Sequence, residues 1–231
     1  MAVSRLWLVF WIAIAGSLAA TASILLLDPI LRQVDLLPDQ GASWYYWKLP
    51  EPDTWSRATS WGFYILHQVF IWGLLRWAIV NRDKMQDRNK LHPLNYIGLA
   101  GTAFFIGLHY VQTAYWYDGL AQDTSVWSSQ ISVIFVLVIV LIMEAPRRGI
   151  AFGKGGSWLK GARQWLIKYH GYYFAWAVVY TYWFHPMETS LGHLLGFFYT
   201  FLLLIQSAFV FTRVHTNKWW TTLLEVSVLV H

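Results

Sequence analysis

The residues of this chain most able to do chemistry are histidines set inside apolar runs. His67, His109, His193 and His231 each lie within such a run, and His185-Pro-Met-Glu-Thr-Ser-Leu-Gly-His193 brings a second histidine and Glu188 to the edge of one. Neutral imidazole ligates zinc, copper and iron, and paired histidines on facing helices can hold haem iron from both sides. The four intramembrane positions include no carboxylate, so a magnesium, calcium or carboxylate-bridged di-iron centre is not expected. The chain has no cysteine, which removes disulfides, thiolate metal sites and covalent c-type haem. The expected cofactor is therefore haem b or a histidine-ligated transition metal, and a cofactor-free bundle is the alternative.

Depth is what groups these residues. His67 follows Trp61 by six residues, about 9 Å at the helical rise of 1.5 Å per residue. His109 precedes Tyr117 by eight, roughly 12 Å, and His193 follows Pro186 by seven, roughly 10 Å. His231 lies about 18 Å from the opposite face, hence about 12 Å from this one. Four runs thus contribute an imidazole to one layer, with His185 and Glu188 at its mouth. Gln68, Gln112 and Gln130 fall near the same depth. Ionisable groups inside a bilayer are costly and normally face the bundle interior.

The elements that must carry this layer are membrane spans. Of the 231 residues 57% are hydrophobic and 13% charged, against about 25% charged in a soluble domain. The expected fold is all-α: one transmembrane domain over residues 1–231, with six complete spans and a seventh cut short. The spans are expected at 6–27, 61–80, 95–117, 125–144, 167–184, 188–211 and 219–231, with an outer cap over 28–60. The seventh is about 20 Å long, short of a bilayer core of roughly 30 Å, and is expected to continue past His231. Although Met1–Leu27 has a signal-peptide-like start, its apolar run is too long for one, and an uncleaved first helix is expected.

Orientation follows from charge. Arg82, Lys84, Arg88 and Lys90 fill one loop, Arg147, Arg148, Lys154, Lys160 and Arg163 a second, and Arg213 and Lys218 a third, while Asp118, Asp123 and Glu188 lie at the other face. The positive-inside bias puts the basic loops and the amino terminus in the cytoplasm, where those loops meet anionic lipid. The net charge of +5 is spent on those loops, so nucleic acid is not an expected partner. Trp44-Tyr-Tyr-Trp47 and Trp55, interspersed with prolines, fit a structured cap or an interfacial loop.

Several smaller features have competing explanations. Gly98, Gly101, Ala103 and Gly107 form a small-residue face for close helix packing or for a flat macrocycle. His185-Pro186 followed by Glu188 is either a helix start, with the carboxylate complementing the dipole, or an entry to the site. Near the basic face, Arg76 and Glu225 form a candidate ion pair. His92, before Pro93 in a basic loop, is expected to be solvated. The glycine-rich loop 147–156 lacks P-loop spacing, and no H-E-x-x-H motif occurs.

Three functions fit this pattern. The first is a haem- or metal-binding redox subunit or enzyme using the histidine layer. The second is a proton-coupled transporter, and the third a structural subunit with a partner in a larger membrane complex. The layer further predicts that spans two, three, six and seven share one side of the bundle, that span four is peripheral, and that His67 and His109 approach each other.

Overall fold

The computed structural model describes residues 2–31, 49–148 and 160–227. The described chain is all-helical: α1 (Ala2–Leu26), α2 (Asp28–Leu31), α3 (Thr54–Val80), α4 (Pro93–Trp116), α5 (Val126–Arg148), α6 (Lys160–Tyr182), α7 (Leu191–Ala208) and α8 (Lys218–Ser227). Five of these, α1, α3, α4, α5 and α7, are long and apolar enough to cross a membrane. The expected count of six or seven spans is thus met in part. The sixth long helix, α6, carries Lys168 and His170 within its 23 residues and is less apolar. His231, most of the expected cap and the glycine-rich loop lie outside the described residues.

Helix boundaries follow local chemistry. The second span starts at Thr54 rather than Trp61, because Asp53 caps it: its carboxylate accepts from the Ser56 amide at 2.6 Å. The sixth starts at Leu191 rather than Glu188, capped by Ser190. Pro186 and Glu188 therefore precede the helix and lie in the connection before it, which corrects the helix-start reading of that stretch. At the start of α4, the Asn95 side chain accepts from the His92 amide at 2.7 Å. His92 is buried and its Nε2 lies 3.0 Å from the Asp87 carbonyl. The expectation that it is solvated is corrected: capping α4 requires it inside.

Packing defines a closed ring of four helices, α3 against α4, α4 against α7, α7 against α6 and α6 against α3. Helix α1 lies outside on α7, α5 outside on α6, and α8 on the end of α7. Span four is peripheral as expected, with Ile131, Ile134 and Leu141 exposed along it, which suits a lipid-facing surface. The ring membership corrects one expectation. Span five, α6, takes the place predicted for span seven, because Ala175, Val179 and Tyr182 give it a buried face at helical spacing.

The small residues on α4 serve helix packing. A Cβ at Gly98 would lie 3.1 Å from the Ala208 Cβ of α7, and one at Gly101 would fall 2.2 Å from the Phe70 ring of α3. Both sites are contacts between helices, and at Gly107 nothing lies within 4 Å. Asn95 locks the same α4–α7 seam from the basic end. Its amide donates to the carbonyls of Ala208 at 2.8 Å and Val210 at 2.9 Å.

Candidate functional site

The axis of the ring is filled by His67 from α3, His109 and Phe105 from α4, Tyr182 and Trp183 from the end of α6, and Phe197 from α7. His67 and His109 are fully buried, at 0% exposure each. The His67 ring stacks on Phe105, with centroids 3.9 Å apart and planes at 8°. His109, one helical turn further along α4, lies 4.5 Å from Trp183 and 4.7 Å from Tyr182, centroid to centroid. Both imidazoles thus contact the same two aromatic side chains and face the same interior. Tyr182 is itself anchored, its hydroxyl donating to the Phe105 carbonyl at 3.0 Å.

From His109 the histidines continue toward the Asp118 face. His185 adjoins His109, and its ring centroid is 4.1 Å from that of buried His193. In the other direction the core holds Ile71, Ala175, Phe201 and Leu204, with the buried polar side chains of Gln68, Thr102 and Thr200 on the ring helices. The imidazole series therefore runs from His67 at mid-ring toward the Asp118 face.

Hydrogen bonds sort the imidazoles by tautomer. Trp183 Nε1 donates to His67 Nδ1 at 3.2 Å, so in the neutral ring the hydrogen sits on Nε2 and His67 is a donor there. His185 has the opposite arrangement. Its Nδ1 lies 3.1 Å from the Pro186 carbonyl, an acceptor only, so Nδ1 carries the hydrogen and Nε2 the lone pair. His193 Nδ1 pairs with the Ser190 hydroxyl at 2.7 Å. A histidine that ligates through one nitrogen commonly donates from the other to such an oxygen. Neither nitrogen of His109 makes a hydrogen bond of normal geometry among the described residues, nor does His67 Nε2.

A buried strap closes the Asp118 face. Residues Trp183, Phe184, Met187 and Glu188 are all buried. The backbone amides of Leu120 and Ala121 donate to the carbonyls of Trp183 and Phe184 at 3.0 and 2.8 Å, and the Met187 amide donates to Thr113 Oγ1 at 3.0 Å. Gly119 permits this approach, since a Cβ there would fall 2.4 Å from the Phe184 carbonyl oxygen. Arg57 then pins the 117–123 turn to the start of α3. It donates to Asp118 Oδ2 at 2.6 Å and to the Gly119 carbonyl at 3.2 Å, and also pairs with Asp123. Trp61 Nε1 donates to the same Asp123 carboxylate at 2.8 Å. Burial raises the Asp118 carboxyl above its ordinary range, and Arg57 opposes that shift.

The other sequence-derived residues divide. Gln112 donates to the Asp118 carbonyl at 2.9 Å and to Ser60 Oγ at 3.3 Å. It supports the strap and does not reach the histidines. Gln68 is buried and its amide has no hydrogen-bond partner among the described residues. Gln130 is exposed on peripheral α5. Arg76 is exposed on α3, whereas Glu225 on α8 neighbours Tyr199 of α7. The ion pairs among the described residues join Arg57 to Asp118 and Asp123 and Lys90 to Asp87, so Arg76 and Glu225 are not brought together. No group of three or more His, Asp or Glu side chains among the described residues is gathered closely enough to hold a metal ion. Trp183, Tyr182 and Arg57 were not singled out from the sequence. An indole at the end of an apolar run there looks like any interfacial aromatic.

Comparison of the chain with protein-family models, with curated proteins and with solved structures gives no match in any of the three.

Proposed function

We propose that this multi-pass helical membrane protein holds a transition-metal ion through His109, His185 and His193, beneath the strap at the Asp118 face. The observation that carries the reading is His109, fully buried, whose ring nitrogens approach the His185 backbone but make no hydrogen bond of normal geometry among the described residues. A buried polar group left unpaired costs about 1–3 kcal/mol, and a bound ion would satisfy one nitrogen. The tautomer at His185 supports a lone pair on Nε2, the form a ligand needs, and the Ser190 hydroxyl is able to accept from His193 Nδ1 in the same form. As the side chains stand the three nitrogens are not gathered around one point, so ligation requires the imidazoles to rotate toward one another. His67 supplies an N–H donor to the floor of the site rather than a ligand. A haem held between His67 and His109 fits less well, because Trp183 occupies His67 Nδ1 and packs against both rings. Copper or iron would make the site redox-active and zinc would make it a Lewis acid, which is the enzyme or redox-subunit reading.

A proton-coupled transporter is the second reading, favoured by the contiguity of His109, His185 and His193. It requires titratable groups on toward the other face, where the buried side chains are Ile71, Phe201 and Leu204 with the hydroxyls of Thr102 and Thr200. A structural subunit, with its partner on α1, α5 or α8, would need no ion at all. Helix α6 is taken as a further span because it is packed between α3, α5 and α7. The basic face is taken as cytoplasmic. Arg213 donates its amide to the Arg88 carbonyl at 2.9 Å, and the Arg5 guanidinium sits 6.0 Å from the Tyr96 ring at the start of α4. These contacts gather two basic loops and the amino-terminal helix at one side, as the positive-inside rule wants.

The test is elemental analysis of protein purified in mild detergent without chelator or affinity metal. Near-stoichiometric zinc, copper or iron is expected in the wild type. It should be lost in His109→Ala and His193→Ala and retained in His67→Ala. Metal-free wild type that is folded and monodisperse would reject the proposal, and a haem spectrum lost in His67→Ala would replace it with the haem reading.

A further inference from the structure

On the outside of the ring, a groove of about 520 Å³ lies between α3 and α6, lined by Trp72, Trp165, Tyr169, Tyr172, Tyr173 and Trp176. Sites for small ligands are typically about 300–1,000 Å³, apolar, with a few polar groups fixing orientation. Its walls are organised. Trp72 donates from Nε1 to the Tyr172 carbonyl at 3.2 Å, and the rings of Trp165 and Tyr173 lie 5.6 Å apart, centroid to centroid. Gly171 lets the two helices close behind it, since a Cβ there would meet the Leu75 side chain at 3.1 Å. Trp72 and Trp165 are 41% and 52% exposed, so the groove opens sideways, where the lipid chains run.

Charge identifies the occupant. Neither α3 nor α6 contains an acidic residue. The cations on the basic halves of these two helices are Arg76, Lys160, Arg163 and Lys168, of which Arg163 is turned to the Met143 carbonyl of α5. Lys168 is the nearest placed: its ammonium lies 5.1 Å from the ring centroid of Tyr169, one of the lining residues. A quaternary ammonium headgroup would be drawn to aromatic faces but repelled by these cations. An anionic headgroup is attracted to them, and interfacial tyrosines and tryptophans suit the level at which such headgroups sit. We infer that this groove is a binding site for an acidic phospholipid, one acyl chain against the indoles and the phosphate at Lys168. The site is separate from the histidine series and independent of any metal there.

The test uses the full chain in nanodiscs containing equal amounts of phosphatidylglycerol and phosphatidylcholine, released into the gas phase and weighed with its retained lipids. Phosphatidylglycerol should be retained in preference, and Lys168→Glu should lower that preference several-fold. Arg82→Glu, the same charge change on the exposed turn after α3, should leave it unaltered. Trp72→Ala should lower retention of the lipid while the charge remains. Equal retention of the two lipids by the wild type would overturn the proposal. So would equal losses from Lys168→Glu and Arg82→Glu, which would mark a diffuse surface effect.

Discussion

Replacing Arg57 by alanine is expected to destabilise the protein by about 3–5 kcal/mol, the range for removing one partner of a buried ion pair. Arg57 is itself partly exposed, 19% for its side chain, so the lower end of that range is expected. The loss arises at Asp118, whose side chain is 1% exposed and would keep the neutral donors alone, the Gly119 amide at 2.7 Å and the Ser56 hydroxyl. The pH dependence follows from the sign of the shift. Burial already holds the Asp118 carboxyl above the ordinary value of about 3.9, so the folded state keeps its proton to higher pH than the unfolded chain. Stability from this group therefore falls as pH rises through the window above that value. Without the guanidinium the folded pKa rises further and the window extends upward. Thermal unfolding of Arg57→Ala in detergent should thus approach wild type on acidification. Asp118→Asn should recover much of the loss at neutral pH. A loss independent of pH and unaffected by Asp118→Asn would show that the cost lies elsewhere.

A comparable loss is expected for Asn95→Ala. One buried amide holds the start of α4 against the end of α7 through three bonds, accepting from the His92 amide and donating to the Ala208 and Val210 carbonyls. Each buried backbone group left unpaired costs about 1–3 kcal/mol, so about 3–5 kcal/mol is expected once one or two of them find water. Asn95→Ser, small enough to be accommodated but able to make fewer of these bonds, should fall between wild type and alanine. Unfolding midpoints of the three proteins are the check. The metal content of whatever remains folded should be unchanged, because this seam is at the far end of the ring from the histidines.

Much of the architecture was legible in the sequence because hydropathy and charge act over whole segments. The peripheral place of α5 could be read from a run that is apolar on every side. The depth of His67 and His109 came from counting residues along regular helices. What hydropathy did not give was the place of α6 in the ring: the span expected at 167–184 has a lysine, a histidine and tyrosines that lower its apolar average, although Ala175, Val179 and Tyr182 bury one face. Periodicity along that segment was the better signal. Partner choice was invisible for a different reason. Arg57 meets Asp118 across 61 residues and Trp183 meets His67 across 116, and no local pattern encodes such pairings. The His67 tautomer depends wholly on that indole, so the sequence could group the histidines but could not assign their tautomers. His92 was misjudged because a polar residue in a basic loop looks solvated unless its capping geometry is known.

Ligation of a metal ion by His109, His185 and His193 can be read from X-ray absorption at the edge of the metal retained by the wild-type protein. The account predicts a first coordination sphere dominated by nitrogen at about 2.0–2.1 Å for zinc, with the outer-shell scattering of imidazole rings. That scattering should diminish in His193→Ala. A sphere of oxygens alone, or imidazole scattering unchanged by His193→Ala, would contradict the account.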